Sequence, residues 1–143
     1  MKPALSLAVA ALLLAGQAER AGAEAMRNPI ALFAGLDKIT GTITRFEAAI
    51  DENKRFGSLD VRARVCNTRP VTEQPKTTAF VEVEEVLLEG GTKRVFTGWM
   101  LAESPGLNAV EHPVYDVWLT GCRNPEEPGL ALDSLETLLE SLE

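Results

Sequence analysis

The residues with the greatest capacity for chemistry lie together in one stretch, WMLAESPGLNAVEHPVYDVW, which runs from Trp99 to Trp118. It holds both tryptophans, the single tyrosine, Tyr115, the single histidine, His112, and the carboxylate of Asp116. A histidine near a carboxylate can act as a general base, and an exposed indole ring can pack against a ligand. One hypothesis is therefore a hydrolase or small-ligand site that combines Trp99, His112, Tyr115 and Asp116.

The spacing of these residues favours a structural role over catalysis. Along a strand, residues an even number apart share a face, so Asp116 and Trp118 should point away from Tyr115. Ser104, a conceivable nucleophile, precedes a proline and lacks the G-x-S-x-G surroundings of a nucleophile elbow. We predict no catalytic residue and no metal site, and we expect His112 to be structural, with a ring nitrogen that ties the preceding loop to the following strand.

The two tryptophans have two interpretations. Because an indole ring buries a large apolar area, packing in the core or in a hairpin is the plain interpretation, and the core is preferred over a binding platform. The alternative is a binding platform, for which aromatic residues, at 6% of the chain, are few once a core is filled. In that case the candidate binding residues are Trp99, His112, Tyr115, Asp116 and Trp118.

The beginning of the chain has the pattern of a secretory signal peptide. Lys2 provides a positive start, residues 4–15 form an apolar run, and small residues precede the potential cleavage points after Ala18 and Ala23. The apolar run is shorter than the roughly 20 residues that a membrane-spanning helix needs. We expect this signal peptide, within residues 1–23, to be removed on export, which leaves no membrane-spanning segment in the mature chain.

Charge and composition exclude some classes of partner. The chain carries 14 basic and 21 acidic residues, and the basic ones are scattered among the acidic ones. Binding to a phosphate backbone by counterion release needs clustered lysine and arginine, so nucleic acid is not expected as a partner. The sequence also contains no cofactor motif, and we predict no cofactor.

The chain has two cysteines, Cys66 and Cys122. In an oxidising compartment such a pair is expected to form a disulfide. Redox-active pairs have the pattern C-x-x-C, haem attachment sites have C-x-x-C-H, and zinc sites need four clustered ligands. None of these patterns is present in the sequence. Closing the loop between the two residues stabilises the fold by about 4 kcal/mol in the chain-entropy description.

Residues 24–122 are predicted to form a β-domain. From Ile39 to Phe46 the residues alternate between two faces, and Ile39 and Ile43 lie on the face expected to be buried. A second strand, SLDVRARVC, has four apolar residues on one side and ends at Cys66, which is expected to face away from that side.

A β-hairpin follows. The segments AFVEVEEVLL and KRVFTGWML flank EGGT, in which Gly90 and Gly91 provide the positive backbone angles of a tight turn. ESPGLNAVEH interrupts the strand pattern and favours one helical turn, and HPVYDVWLTGC then returns to extended chain. Short strands separated by turns are typical of a mainly β fold, here a small antiparallel β-sandwich or barrel.

Residues 123–143 differ in composition from the β-domain. They begin with the proline-rich linker RNPEEPG and continue with LALDSLETLLESLE, for which we predict a short, acidic, amphipathic helix. Its apolar stripe consists of Leu135, Leu138, Leu139 and Leu142. Because a helix this short does not persist alone in water, we expect it to be a docking element.

The docking helix has three potential fates. It could bind a partner, pack on its own β-domain, or be a disordered tail. Glu82, Glu84 and Glu85 in the predicted hairpin would repel the acidic helix at short range, which favours a partner.

Three segments carry a resemblance to a known family. They are GLDKITGTITRFE at residues 35–47, SLDVRARVCNTRP at residues 58–70 and VFTGWMLAESPGLNAVEHPVYDVWLTGC at residues 95–122. They resemble a family of small exported alphaproteobacterial proteins known as domain of unknown function 2155. The family has no agreed activity, so the resemblance assigns no catalytic residue. It implies a periplasmic location, and a frequent gene neighbour that encodes an accessory subunit of respiratory NADH dehydrogenase suggests a partner in the inner membrane.

The leading functional hypothesis is a periplasmic, disulfide-stapled binding or scaffold protein without enzymatic activity. Its expected partner is an envelope or inner-membrane protein, and it would serve as an accessory or assembly component of a membrane complex. The alternative is the hydrolase or small-ligand-binding protein described above.

Overall fold

The computed structural model describes residues 25–70, 74 and 76–126 of the 143-residue chain. The predicted signal peptide at residues 1–23 lies outside the described residues, as does the predicted docking helix with its leucines.

The described part of the chain contains nine β-strands and no helix. The strands are β1 Met26–Arg27, β2 Ile30–Asp37, β3 Thr42–Ala49, β4 Lys54–Phe56, β5 Leu59–Thr68, β6 Thr77–Val86, β7 Thr92–Leu101, β8 Val110–Glu111 and β9 Tyr115–Arg123. Sheet A has the order β1-β5-β6-β7, with β4 also paired to β5, and sheet B has the order β3-β2-β9-β8. All strand pairs are antiparallel. The mainly β prediction is confirmed, and the fold is a sandwich of two sheets.

The core lies between the two sheets. Strands β5, β6 and β9 contribute alternate residues to it, as half-buried strands do. The largest fully buried side chains are Phe33, Leu59, Met100, Leu119, Val61, Val81, Val83, Val110, Val117 and Cys66. Each large apolar side chain that is fully buried stabilises the fold by roughly 1.5–3 kcal/mol.

The hairpin between β6 and β7 is present as the sequence predicts. Gly90 and Gly91 have φ angles of 92° and 87°, and the Leu87 amide donates a hydrogen bond to the Gly91 carbonyl oxygen at 3.1 Å.

The strand predicted from Ile39 begins only at Thr42, and the side chains expected to face the core face solvent. Asp37 Oδ1 accepts a hydrogen bond from the Ile39 amide at 2.9 Å, and Gly41 has a φ of 70°, so this part of the chain is the turn between β2 and β3. Ile39 is 78% exposed in that turn, and Ile43 is 60% exposed on β3. The prediction that they face the core is therefore wrong, because the buried phase of β3 includes Ala48 instead.

The structure does not confirm the predicted helical turn in ESPGLNAVEH. The Ser104 amide donates to the Leu101 carbonyl oxygen, and the Leu107 amide donates to the Ser104 carbonyl oxygen at 3.1 Å. These are separate turns that lead into β8. Pro105 has no amide hydrogen to donate, so a continuous helical ladder is interrupted at this position.

A disulfide joins the two sheets. Cys66 in β5 of sheet A is bonded to Cys122 in β9 of sheet B, with their Cα atoms 5.8 Å apart, so the predicted disulfide is confirmed. The prediction that Cys66 faces away from the apolar side of its strand is wrong, because the residue is fully buried in the core.

Two β-bulges turn the cysteines inward. The register of β5 against β6 shifts at Arg64, and the register of β9 against β2 shifts at Thr120. Each bulge adds one residue two positions before a cysteine. Because side chains alternate along a strand, one extra residue moves the following side chain to the opposite face. Without these bulges, Cys66 and Cys122 would point away from the core and from each other.

The turn after β3 holds the bulge of β5 in place. The Asp51 amide donates a hydrogen bond to the Ala63 carbonyl oxygen at 2.8 Å. The Arg64 guanidinium donates to Asp51 Oδ1 at 2.7 Å and to Glu82 Oε2 at 3.0 Å. The hydrogen bond to Asp51, and next the charge of Glu82, raise the pKa of Arg64. The extra residue therefore has defined partners on both sides.

A row of packed rings fills the opposite end of the sandwich. Neighbouring ring centroids lie 5.4–5.6 Å apart, and the row runs through Phe33, Phe46, Phe56, Tyr115 and His112. Phe56 belongs to β4 of sheet A, whereas its neighbours in the row, Phe46 and Tyr115, belong to sheet B. The row therefore joins the two sheets at the end away from the disulfide.

Two glycines leave the space that this row needs. A Cβ atom on Gly57 would lie 2.6 Å from Tyr115 Cε1, and a Cβ atom on Gly35 would lie 2.7 Å from Phe56 Cε1. Both distances are too short for a real Cβ contact. The aromatic rings therefore pack directly on backbone.

Removal of the disulfide should destabilise the fold strongly. We expect Cys66→Ala or Cys122→Ala to lower the free energy of unfolding by roughly 2–5 kcal/mol, the usual range for a small secreted domain. Urea denaturation monitored by circular dichroism measures this loss. Thiol titration of the denatured wild-type protein without reductant should find no free thiol, and a full reaction of both cysteines would contradict the disulfide.

Gly57 and Gly41 form a matched pair of test positions. Both have a positive φ, 57° and 70°, but an added Cβ meets Tyr115 at Gly57 and nothing within 4 Å at Gly41. We expect Gly41→Ala to lower the free energy of unfolding by about 1–2 kcal/mol, the left-handed backbone penalty. Gly57→Ala should lose about 1–3 kcal/mol more, because its methyl group overpacks the ring. Equal losses in denaturation experiments would show that the ring contact is unimportant.

Candidate functional site

The five candidate binding residues of the Trp99–Trp118 stretch lie in three different places. Trp99 is on the outer face of sheet A. His112 and Tyr115 belong to the ring row at one end of the sandwich. Asp116 and Trp118 alternate with the buried Val117, so they lie on the outer face of sheet B. The structure therefore does not bring Trp99, His112, Tyr115 and Asp116 together in a single cleft.

The His112 ring is held by hydrogen bonds on both nitrogens. Nδ1 accepts from the Val114 amide at 3.1 Å, so the proton of the neutral ring lies on Nε2, which donates to Glu85 Oε1 at 2.9 Å. The side chain is only 11% exposed and stacks on Tyr115. Because Glu85 is in β6 of sheet A, His112 connects the segment before β9 to the opposite sheet. These contacts are those of a structural histidine.

Asp116 and Trp118 line a cleft of about 670 Å³ under the segment that precedes β8. Lys38 Nζ lies 2.7 Å from Asp116 Oδ1 and also donates a hydrogen bond to the His112 carbonyl oxygen at 2.8 Å. Oδ1 accepts no well-directed hydrogen bond within the described residues, so its contact with Lys38 is an ion pair. The cleft therefore presents an indole ring beside a neutralised carboxylate.

Neither tryptophan is buried in the core, so the core interpretation is wrong, whereas packing in a hairpin is observed for Trp99, which lies opposite Phe80 in the β6–β7 hairpin. Trp99 is 46% exposed and packs edge-on against Phe80, with ring centroids 5.5 Å apart. The strand register places Val65, Phe80 and Trp99 side by side across β5, β6 and β7. The next outward row consists of Asn67, Thr78 and Leu101. We call these six residues the Trp99 face.

Grooves flank the Trp99 indole on both sides. One, of about 380 Å³, continues past Leu101 and Lys76, and the other, of about 530 Å³, continues past Val65 and Arg27. Asn67 lines both grooves, and its buried Oδ1 has no hydrogen-bond partner within the described residues. An unpartnered buried carbonyl oxygen costs free energy, so a donor supplied by a bound chain would be favoured here.

The grooves beside Trp99 have a basic border on a chain of net charge −7. The cationic side chains that line them are Arg27, Arg64, Arg69 and Lys76. Within the part of the chain that the structure describes, Arg27 and Lys76 form no ion pair. Aromatic and arginine side chains together are typical of the centre of a protein interface, so the Trp99 face has the composition of a binding surface.

The remainder of this outer face of sheet A is an ion-pair network. Arg94 Nη2 lies 3.0 Å from Glu84 Oε1, and Arg94 Nη1 lies 3.5 Å from Glu82 Oε1. Arg55 and Asp60 form a further pair at 2.6 Å. Charged side chains that neutralise each other form a solvated surface. The apolar part of the outer face is thus confined to the Trp99 end.

The other strongly exposed apolar side chains mostly occupy turns. Three of them lie in the segments between strands and not on the face of a sheet, namely Ile39, Leu88 and Leu107. Single exposed apolar residues in loops are common and need no functional explanation. Trp99 differs from them because it lies on a sheet with Phe80 beside it.

Comparison with known proteins places the chain in a family. Residues 31–122 match a family described as uncharacterized protein conserved in bacteria (DUF2155). The chain belongs to this family. An uncharacterized protein of Rickettsia prowazekii (strain Madrid E) is 27% identical over 89 residues, which cover 61% of this chain and 56% of that protein. The chain thus spans just over half the length of this relative, and no solved structure matches it.

The family match includes both cysteines and the whole of strands β3–β8. It confirms the family resemblance expected from the sequence and assigns no activity. Among the described residues, no helix has the length and hydrophobicity that a membrane crossing requires. The same residues contain no cluster of three side chains able to hold a metal ion.

The sequence does not predict four residues of this site, which are Asn67, Phe80, Arg27 and Lys76. They are far apart in the chain, and only the register of β5, β6 and β7 brings them beside Trp99. The available signal was an apolar residue at an outward position, such as Phe80 between the buried Ala79 and Val81. That signal has meaning only when the buried face of the strand is known.

Replacement of His112 tests its structural role. We expect His112→Ala to lower the free energy of unfolding by about 1–3 kcal/mol, because the buried hydrogen bonds to Glu85 and Val114 are lost. Chemical denaturation measures this change. Glu111→Ala, at the exposed neighbouring position, is the control and should stay within about 0.5 kcal/mol of wild type. A His112→Ala protein with full stability but a lost cellular phenotype would instead assign a functional role to the ring.

Proposed function

We propose that the protein works in the periplasm as a disulfide-stapled binding or scaffold protein that contacts another envelope protein through the Trp99 face. The observation that carries this proposal is the 46% exposure of Trp99 on a rigid sheet, beside Phe80 and between two grooves. Tryptophan dominates binding energy at many interfaces because its large ring fills a pocket with little loss of side-chain entropy.

The position of Trp99 supports a protein partner over a small ligand. Its grooves are open and continue along the sheet surface, whereas a small-molecule site usually encloses most of its ligand. The unpartnered Asn67 Oδ1 and the basic border offer polar contacts around an apolar centre. That order, an apolar centre within a polar rim, is the anatomy of a protein interface.

The proposed partner is an inner-membrane complex, such as respiratory NADH dehydrogenase, which the protein would serve as an accessory or assembly component. The support is the gene neighbour that the family resemblance suggests, together with the expected periplasmic location. A domain held by a disulfide and a ring row suits a scaffold, because its surface residues keep fixed relative positions.

The alternative hydrolase or small-ligand site requires Trp99, His112, Tyr115 and Asp116 in one cleft. Trp99 and Asp116 lie on the outer faces of different sheets, and both nitrogens of His112 are occupied by structural hydrogen bonds. The observed geometry therefore favours binding through a surface.

Truncation of Trp99 tests the proposal. Tagged wild-type protein should retain a specific envelope protein in affinity capture from detergent-solubilised envelopes, and Trp99→Ala should lose it because the apolar centre of the surface is removed. The melting temperature of the variant should change little, since Trp99 lies outside the core. Leu88→Ala is the matched control, because Leu88 is an exposed apolar residue on the β6–β7 turn, away from the Trp99 face. Equal capture by all three proteins would overturn the assignment of the surface.

A further inference from the structure

The Trp99 face combines an exposed apolar centre with unpaired positive charge. Arg27 and Lys76 form no ion pair within the described residues, and the same holds for Arg45 on sheet B, whereas two other cations of that sheet's outer face do have partners. Lys38 is paired with Asp116, and Arg123 Nη2 lies 2.6 Å from Glu47 Oε2. The chemistry that fits the Trp99 face is therefore an acidic polypeptide segment with apolar anchors.

The chain itself contains a segment of this chemistry. Residues 127–143 carry acidic side chains and no lysine or arginine. The acidic residues are Glu127, Asp133, Glu136, Glu140 and Glu143, and the leucines at helical spacing are Leu135, Leu138, Leu139 and Leu142. Charge complementarity thus relates this segment to the basic border of the Trp99 face.

The expected repulsion from the acidic residues of β6 is removed in the folded protein. Glu82 is paired with Arg64 and Arg94, Glu84 is paired with Arg94, and Glu85 accepts a hydrogen bond from His112. Glu82 and Glu84 therefore present no unpaired negative charge to an approaching acidic segment, and Glu85 lies near the end of β6 that is away from the Trp99 face. The argument from the sequence that favoured a separate partner is weaker in the folded protein.

The exit point of the chain also allows this contact. Strand β9 ends at Arg123, one residue after Cys122, whose Cα lies 5.8 Å from that of Cys66. The residue after Cys66 is Asn67, which lines both grooves beside Trp99. Residues 123–126 are the end of β9 and a turn, so the chain leaves the described structure after Glu126, close in sequence to Cys122 at the disulfide end of the sandwich.

We infer that residues 127–143 of the same chain dock on the Trp99 face, with the leucines against Trp99 and the acidic side chains at the basic border. The inference uses the surface assigned in the proposed function but requires no external partner. Docking in this way makes the segment an intramolecular competitor for the surface. An envelope protein would bind only by displacing it.

The test uses purified protein with its C-terminal segment intact and one tryptophan at a time. In a Trp118→Phe background, acrylamide quenching reports Trp99 alone, and in a Trp99→Phe background it reports Trp118 alone. Leu135, Leu138, Leu139 and Leu142 are replaced together by serine to remove the apolar anchors. Ser134→Ala with Ser141→Ala is the control, because it changes the same segment without removing a leucine.

We expect the leucine replacement to raise the quenching constant of Trp99 about twofold, since docking covers much of the ring. The quenching constant of Trp118 and both constants in the serine control should stay unchanged. Arg27→Glu and Lys76→Glu should raise the quenching of Trp99 in the same way, whereas Lys93→Glu, at the far end of β7, should not.

Three results would overturn the inference. The leucine replacement could leave Trp99 unchanged, or it could expose Trp118 instead, which would place the segment on sheet B. Alternatively, the protection of Trp99 could depend on protein concentration, with a dimer in sedimentation that the replacement abolishes, which would assign the segment to a second copy. Because all measurements use the isolated protein, they fail or succeed independently of envelope capture.

Discussion

The bond between Cys66 and Cys122 is the constraint on which the arrangement of the two sheets depends. It requires both side chains to face the core, although neither strand would place its cysteine there by simple alternation. The extra residues Arg64 and Thr120 correct the phase of the two strands, and Asp51 fixes the first of them through backbone and side-chain hydrogen bonds. The disulfide, the bulges and the β3–β4 turn therefore form one structural unit. Its formation sets which residues of β5 face outward, among them Asn67 of the Trp99 face.

The two ends of the sandwich are joined by different chemistry. The disulfide closes one end covalently, whereas rings packed on glycine backbone, together with the hydrogen bond from His112 to Glu85, close the other. The Trp99 face lies toward the disulfide end, and the only histidine of the chain belongs to the opposite end. Trp99 and His112, which the sequence suggests as members of one site, thus belong to two separate parts of the structure. The proposed binding surface gains from this division because its backbone is fixed by a bond that needs no side chain of the surface itself.

Particular residues show how far the sequence leads. Gly90 and Gly91 identify the hairpin because only a tight turn needs two positive φ angles in succession, and a pair of cysteines without a metal or redox motif indicates the disulfide. The sequence does not reveal which side of the sheet Ile39, Ile43 and Cys66 face. A turn or a single bulge inverts the alternation of side chains between the two faces, and it leaves little trace in the composition. Strand β2, IALFAGLD, is not predicted from the sequence. It is a central strand that is covered in part on both faces, so its apolar and polar residues do not alternate. Trp99 was named among the candidate residues, but its neighbours depend on a register that no local pattern encodes.

The bulges at Arg64 and Thr120 also carry a consequence for how such a protein can diverge over evolution. Substitutions at either position keep the strand length and the phase of the cysteines, although a substitution of Arg64 also removes its hydrogen bonds to Asp51 and Glu82. A deletion of one residue there points one cysteine outward, and the bond can no longer form even though both cysteines are still encoded. The spacing between the buried apolar residues and the following cysteine is therefore inherited together with the cysteine. A related sequence with one cysteine lost has little reason to retain either extra residue, so bond and bulges should disappear from a lineage together.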